Sequence, residues 1–450
     1  MPTVAQADLL IKARWIVPAD PEGRVFEAHA LAVRDGAIVD VLPSAEAECR
    51  WRAREVLSLD RHVLIPGLIN AHTHAAMALF RGLADDLPLM DWLQHHIWPA
   101  EQRWVADEFV RAGTRLAMAE MLRGGTTCFN DMYLFPDRIA EIAAEAGMRA
   151  VVGLILIDFP TPWAAGADEY LSKGLGVHDA FRAHPLIHFA FAPHAPYTVS
   201  YEPLQRVGTL AEELDLPIHM HVHETAHEVD EAIEATGERP LARLARLGLL
   251  SARLIAVHMT QMTATDIDAC ARHGVNIVHC PRSNLKLASG FCPIHALRQA
   301  GINVALGTDG AASNNSLDML SEVSTAALLA KGMAGDPCAV PAASALSMAT
   351  LNGARALGID AIAGSLTIGK QADIAAIDLG GIETQPVYDP ISALVYAANR
   401  EAVTDVWVAG RRLLRNRELL TLDEAAILRE AERWRARIQG ARDKSWSSSS

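Results

Sequence analysis

Between residues 62 and 307 short apolar runs and longer amphipathic segments take turns eight times, and few architectures can use such a chain. The apolar runs lie at 62–65, 126–130, 150–156, 187–192, 218–223, 254–258, 276–279 and 303–307. Helix-like segments separate them, as at 108–123, 138–146, 202–214 and 264–273. Strands that alternate with helices lie parallel, and eight of them close into a (β/α)8 TIM barrel of about 250 residues or more. The chain has 450 residues, so a barrel over 64–365 leaves both ends over. Those ends look β-rich. Runs at 9–17, 30–34 and 37–42 surround an Asp35-Gly36 hairpin signal, and similar runs occur at 373–377 and 403–408. Residues 1–63 plus 366–420 are therefore expected to form one small β-sandwich. A polar helix is expected over 421–440, where Thr421 and Glu424 have capping-box spacing, with a low-complexity disordered tail over 441–450.

Half of the residues are hydrophobic, enough for a large core, and the formal net charge is −14. Binding a nucleic-acid polymer needs a basic face, so that partner is not expected, whereas a single nucleoside remains open. The six cysteines include no C-x-x-C pair, which argues against zinc-finger and thioredoxin readings and for free thiols in a reducing compartment. No signal-peptide pattern and no apolar stretch of about 18 residues is found, so a cytoplasmic protein without a membrane partner is expected. Ala-rich apolar helices suit a homo-oligomer, a dimer or tetramer.

In such a barrel the reactive groups sit where strands end and loops begin. Those ends carry His72 and His74, His194, the cluster His219, His221, His223 and Glu224, then His258, then Asp309. Residues i and i+2 of an extended segment point to one side, so His72 and His74 in PGLINAHTH can reach one metal ion together. The same alternation puts His219, His221 and His223 on one face, and spacing does not choose among them. Asp309 closes an apolar strand and enters a Gly/Asn-rich loop, where a carboxylate can touch a metal and carry protons. Turn capping is the bland explanation for any lone Asp, and it weakens in series with the histidines. Three or four nitrogen and oxygen ligands without thiolate suit one divalent ion, Zn²⁺ before Fe²⁺. Such an ion would bring the pKa of water toward about 7, with Asp309 as proton acceptor and His258 orienting the water. Trp92, Trp98, Ser283 and Asn284 lie near these strand ends and have either substrate contact or packing and turn roles open to them.

The order P-G-L-I-N-A-H-T-H, H-x-x-E, a further strand-end His and G-T-D resembles the amidohydrolase superfamily over nearly the whole chain. The resemblance implies that His221 is the third histidine ligand beside His72, His74 and Asp309, and that Glu224 binds substrate and handles protons. Many relatives hold two metals with a carboxylated lysine near strand four. HFAFAPHAPYT has no lysine and offers His194 instead, which points to the one-metal branch, mostly deaminases. D-W-L-x-x-x-I-W-P-A-E, F-A-P-H-A-P-Y-T and C-P-R-S-N-L-K-L-A-S-G resemble the 5-methylthioadenosine/S-adenosylhomocysteine deaminases. In that group the matches to Glu101 and His194 contact the ribose and the substrate. Residues 153–170 lack the arginine such enzymes often carry after strand three, which favours methylthioadenosine or adenosine over S-adenosylhomocysteine. The alternatives are a triazine or other heteroaromatic hydrolase or chlorohydrolase, a guanine or cytosine deaminase, and a non-catalytic scaffold.

Overall fold

The structure is a computed structural model that describes residues 4–447, with side chains to residue 441. In chain order the first four strands are β1 (Ala5–Ile16), β2 (Phe26–Arg34), β3 (Ala37–Pro43) and β4 (Trp51–Pro66). Then come β5 (Leu68–Thr73), β6 (Thr126–Asp131), β7 (Arg149–Leu156), β8 (Ile187–Pro193), β9 (Ile218–Val222), β10 (Leu254–His258), β11 (Asn276–His279) and β12 (Val304–Leu306). The last four are β13 (Ile374–Asp378), β14 (Val403–Val408), β15 (Arg411–Arg415) and β16 (Glu418–Leu419).

Strands β5 to β12 form one all-parallel sheet in sequence order, with helices between them. Its two edges come together at the top, where the Asp309 N–H donates to the His72 carbonyl at 3.0 Å and the Thr308 N–H to Asn70 Oδ1 at 2.9 Å. Gly307 makes this approach possible, because a Cβ there would lie 2.8 Å from the His72 backbone N and O. Inside, Ile69, Cys128, Val151, Ala190, Val257, Val278 and Ala305 come from seven of the eight strands, all but β9, and share one buried cluster. Side chains thus fill the barrel, as close packing requires.

The first barrel strand differs from the expectation. Residues 62–65 belong to β4, which pairs with β1 and β13 in the second sheet, and the barrel begins at Leu68. Both stretches are apolar, so hydropathy does not separate them. Gly67 does, since a Cβ there would meet the Thr127 side chain at 2.1 Å and only glycine lets the chain cross from one sheet to the other.

Both chain ends build that second sheet, in the order β16-β15-β14-β13-β4-β1-β2-β3. The expected sandwich is realised as this one eight-stranded sheet, whose Leu9, Ile11, Leu31, Val33, Ile374 and Trp407 share a core. The C-terminal helix is Glu424–Ser447, so residues 441–447 continue a helix where a disordered tail was expected; residues 448–450 lie outside the described residues. Its start is capped by Asp423, which accepts the Ala426 N–H at 2.9 Å, not by Thr421. The helix is also less polar than its composition suggests. Ile427, Trp434 and Ile438 are buried on one face, and Trp434 meets Phe109 edge-on at 5.2 Å between ring centroids. Among the described residues no helix is long and apolar enough to cross a membrane, and all six cysteines are free.

Candidate active site

The strand-end residues singled out from sequence do converge. His72 is the next-to-last residue of β5, His74 is one residue beyond it, His221 is in β9, His258 at the end of β10 and Asp309 three residues past β12. His72 Nε2 lies 3.3 Å and His74 Nε2 3.2 Å from Asp309 Oδ1, and His221 Nε2 lies 3.3 Å from His72 Nε2. Two overlapping groups have the spacing of a metal site: His72, His74 and Asp309, and His72, His221 and His258.

Each imidazole is held by its other nitrogen. His74 Nδ1–H donates to the Met132 carbonyl at 2.6 Å and His221 Nδ1–H to the His194 carbonyl at 2.9 Å. His258 Nδ1–H donates to Asn284 Oδ1 at 2.9 Å. His72 Nδ1 faces His219 Nε2 at 2.9 Å. These bonds turn every Nε2 toward the shared centre, which is how histidine ligands are usually oriented. Asp309 Oδ2 accepts Ser283 Oγ–H at 2.6 Å and Ser313 Oγ–H at 2.8 Å, leaving Oδ1 for the histidines and the Gly310 N–H at 2.8 Å. Burial would raise the Asp309 carboxyl, but its bonds to His72 and His74 win and hold it well below the usual range. The donor set therefore fits a divalent cation: three imidazole Nε2 atoms and one ionised oxygen converge on one largely buried point.

The three histidines of β9, alike in sequence, differ in place. His219 backs His72, and His221 faces the cavity above the cluster. His223 turns away at φ +53° and accepts the Leu241 N–H at 3.2 Å. His258 (φ +75°) and Asp309 (φ +61°) also adopt left-handed backbone, the strained geometry that collects at functional sites.

A cavity of about 870 Å³, counted to its open mouth, lies above the cluster and includes His74, His221, His258 and Asp309 in its lining. Glu224 enters it with Oε2 3.7 Å from His258 Nε2. The Glu224 N–H donates to Glu228 Oε2 at 2.7 Å and its carbonyl accepts Thr260 Oγ–H at 2.7 Å, so its backbone is pinned at both ends. Burial pushes the Glu224 carboxyl up, with His258 pulling the other way. Glu101, on the helix Trp98–Trp104, also lines the cavity, and burial raises its carboxyl against the influence of Tyr133. His194 lines it too, with Nδ1 3.0 Å from Thr198 Oγ, and burial lowers its imidazole to about 3.

The residues left open in sequence now divide. Trp92 and Trp98 line the cavity, whereas Ser283 and Asn284 are absent from its lining and act on Asp309 and His258 instead. Ser313 and Glu228 escaped sequence reasoning, as did Asp131, which accepts the Ala75 N–H at 2.6 Å and so braces the loop after His74. The x-x-x-E that follows Glu224 in HETAHE is the one available signal for Glu228.

Comparison with known proteins agrees with this geometry. The family model described as "Amidohydrolase family" matches residues 63–413. A 5-methylthioadenosine/S-adenosylhomocysteine deaminase of Saccharophagus degradans is 52% identical over 97% of this chain and 98% of its own length. The crystal structure of an adenosine deaminase from Xanthomonas campestris with bound zinc has a TM-score of 0.96 and 54% identity, covering 97% of this chain and all of that one. The atrazine chlorohydrolase of Arthrobacter aurescens TC1, complexed with zinc, has a TM-score of 0.86 at 24% identity over 95% of this chain and 99% of its own, a likeness of fold alone. With the barrel, the strand-end histidines and a matched model that spans most of its length, the chain belongs to the amidohydrolase family.

Proposed function

We propose that the protein hydrolytically removes the 6-amino group of an adenine nucleoside, 5′-methylthioadenosine or adenosine before S-adenosylhomocysteine, leaving an inosine-type product and ammonia. The observation that carries this reading is a carboxylic acid, Glu224, and an oriented imidazole, His258, facing one cavity directly above the His72, His74, His221 and Asp309 cluster. Those four residues would hold one divalent ion. Zinc is favoured over iron because imidazole and carboxylate donors without thiolate suit it and the similar Xanthomonas structure is described with bound zinc. When bound, such an ion supplies Lewis acidity that brings the pKa of water toward about 7.

The chain's own residues then do the rest. Glu224 delivers a proton to the ring nitrogen beside C6, which makes that carbon electrophilic. His258, locked by Asn284, steers the attacking water, and Asp309 takes the water's proton and returns it to the leaving amine. Glu101, at the cavity wall, receives the ribose hydroxyls, and His194 contacts the substrate from strand β8's end. The remaining wall is mostly apolar and aromatic, with Met77, Leu89, Ile97, Trp98 and Ile157, and contains no lysine or arginine. A methylthio group suits it; a homocysteine carboxylate finds no counter-charge there. The names of the similar proteins, adenosine deaminase and methylthioadenosine/S-adenosylhomocysteine deaminase, support the same substrate class.

The test is ammonia release by zinc-replete protein from adenosine, methylthioadenosine, S-adenosylhomocysteine and guanine, with chloride release from a chlorotriazine. Turnover of methylthioadenosine or adenosine above the others is expected. Turnover of guanine or the triazine alone would overturn the reading.

A further inference from the structure

A second cavity, of about 1060 Å³ to its mouth, adjoins the first, and Phe159 and Tyr197 line both. Phe159 stands on the loop after β7 and Tyr197 on the loop after β8. The two loops are stitched together: the Asp158 N–H donates to the Thr198 carbonyl at 3.1 Å, and Asp158 Oδ2 accepts the Ser200 N–H at 2.7 Å. Phe159 is also placed edge-on to Trp98, with ring centroids 6.3 Å apart, and Tyr197 edge-on to His194 at 6.1 Å. Both side chains thus stand between the two cavities on loops tied to each other.

The chambers on either side differ in chemistry. The nucleoside side has no lysine or arginine in its lining. The far side has Arg243, whose guanidinium is fixed by the Pro196 carbonyl at 2.6 Å and the Val199 carbonyl at 3.2 Å. A guanidinium carries five N–H donors, so others remain for a carboxylate. Glu231 lines the same chamber, and among the described residues its ion-pair partner is the exposed His227. An amino-acid group, with its carboxylate and its ammonium, has both counter-charges there.

We propose that Phe159 and Tyr197 determine specificity for the 5′ substituent, closing the nucleoside cavity to long tails, and that the Arg243 chamber behind them is the space such a tail occupies when the partition is removed. The inference rests on the nucleoside reading above and adds to it which residues set the size limit. A short thioether stays on the near side. A 5′ chain ending in an amino acid reaches the Arg243 chamber by passing the two rings.

Phe159→Ala, Tyr197→Ala and the double variant, zinc-replete, are compared with the wild type on S-adenosylhomocysteine and methylthioadenosine. The ratio of kcat/KM values, long tail over short, is expected to rise at least about tenfold in the double variant, the low end of what pocket shape contributes to discrimination. Adding Arg243→Gln should cancel that gain, because it removes the tail's cation and leaves the opening. A ratio within about twofold of wild type in the double variant, with methylthioadenosine still turned over, refutes the partition. A retained gain in the Arg243→Gln triple variant refutes the chamber. Phe159→Leu and Tyr197→Leu, which thin the partition with less loss of packing, decide the matter if the alanine variants do not fold. If the wild type acts on no nucleoside, the functional reading fails separately, and the same ratio measured as Kd values by calorimetry still judges the partition.

Discussion

Removing the Asp373 carboxylate should loosen the joint between the two sheets far more than its single position suggests. Arg149 opens β7 and is fully buried, and Asp373, just before β13, is nearly so. Arg149 Nε donates to Asp373 Oδ2 at 2.8 Å and Nη2 to Oδ1 at 3.1 Å, while Oδ1 also accepts the Ala409 N–H at 2.7 Å. Gln371 adds a neutral acceptor for Nη2 at 2.5 Å, and among the described residues no second carboxylate pairs with the guanidinium. Asp373→Ala strands a buried charge, at roughly 3–5 kcal/mol, and orphans a backbone N–H worth about 1–3 kcal/mol more. Water entering the gap offsets part of this, so a net loss of about 4 kcal/mol is expected. With an unfolding entropy of about 2.1 cal/mol/K per residue, the 450-residue chain loses about 0.9 kcal/mol per degree near its midpoint, so Tm should fall by about 4 °C. Scanning calorimetry at fixed zinc concentration reads this directly. Arg149→Met combined with Asp373→Leu leaves no charge behind and should regain most of the loss, since buried ion pairs exchange for apolar groups at little net cost. A single variant within about 1 °C of wild type, or a double variant no better than the single, would refute the reasoning.

Glu224→Gln should lower kcat at least about 100-fold while zinc content by atomic absorption stays stoichiometric, since the side chain moves protons and is not in the ligand cluster. Asn284→Ala frees His258 Nδ1 and should cost about 10–100-fold in kcat with little change in KM, which steady-state kinetics on the best nucleoside will read. Gly307→Ala drives a Cβ to within 2.8 Å of the His72 backbone and should weaken zinc retention against a chelator; an unchanged off-rate would show that the barrel seam yields at no cost.

The sequence and the structure agree where periodicity speaks and part where it is silent. Seven of the eight barrel strands are legible in place, because each apolar run is bounded by helical segments. The first was misplaced because 62–65 and Leu68–Thr73 form one nearly continuous apolar stretch, and only the Cβ-free passage at Gly67 separates two sheets there. The C-terminal helix looks polar in sequence because its buried residues, Ile427, Trp434 and Ile438, are too sparse for a stripe until Phe109 is beside them.

The site divides along the same line. His72, His74, His221 and His258 lie on or next to strands, where alternation and strand ends are legible one residue at a time. Yet alternation alone could not rank His219, His221 and His223, because it specifies the face and not the height along the barrel axis. Their different duties depend on what stands across the barrel: His72 Nδ1 opposite His219, and His72 Nε2 with the cavity above it opposite His221. The substrate side is built almost wholly from loops and short helices, with Trp98, Glu101, Phe159, Tyr197 and Ser313, and no period governs those. A strand places a ligand by a rule that survives in sequence, whereas a loop places one only through closure against its neighbours, as Asp158 does by tying the Phe159 and Tyr197 loops together. Substitutions that alter which nucleoside is accepted should therefore fall on the loops after β7 and β8, and those that abolish turnover on the strand ends beneath them.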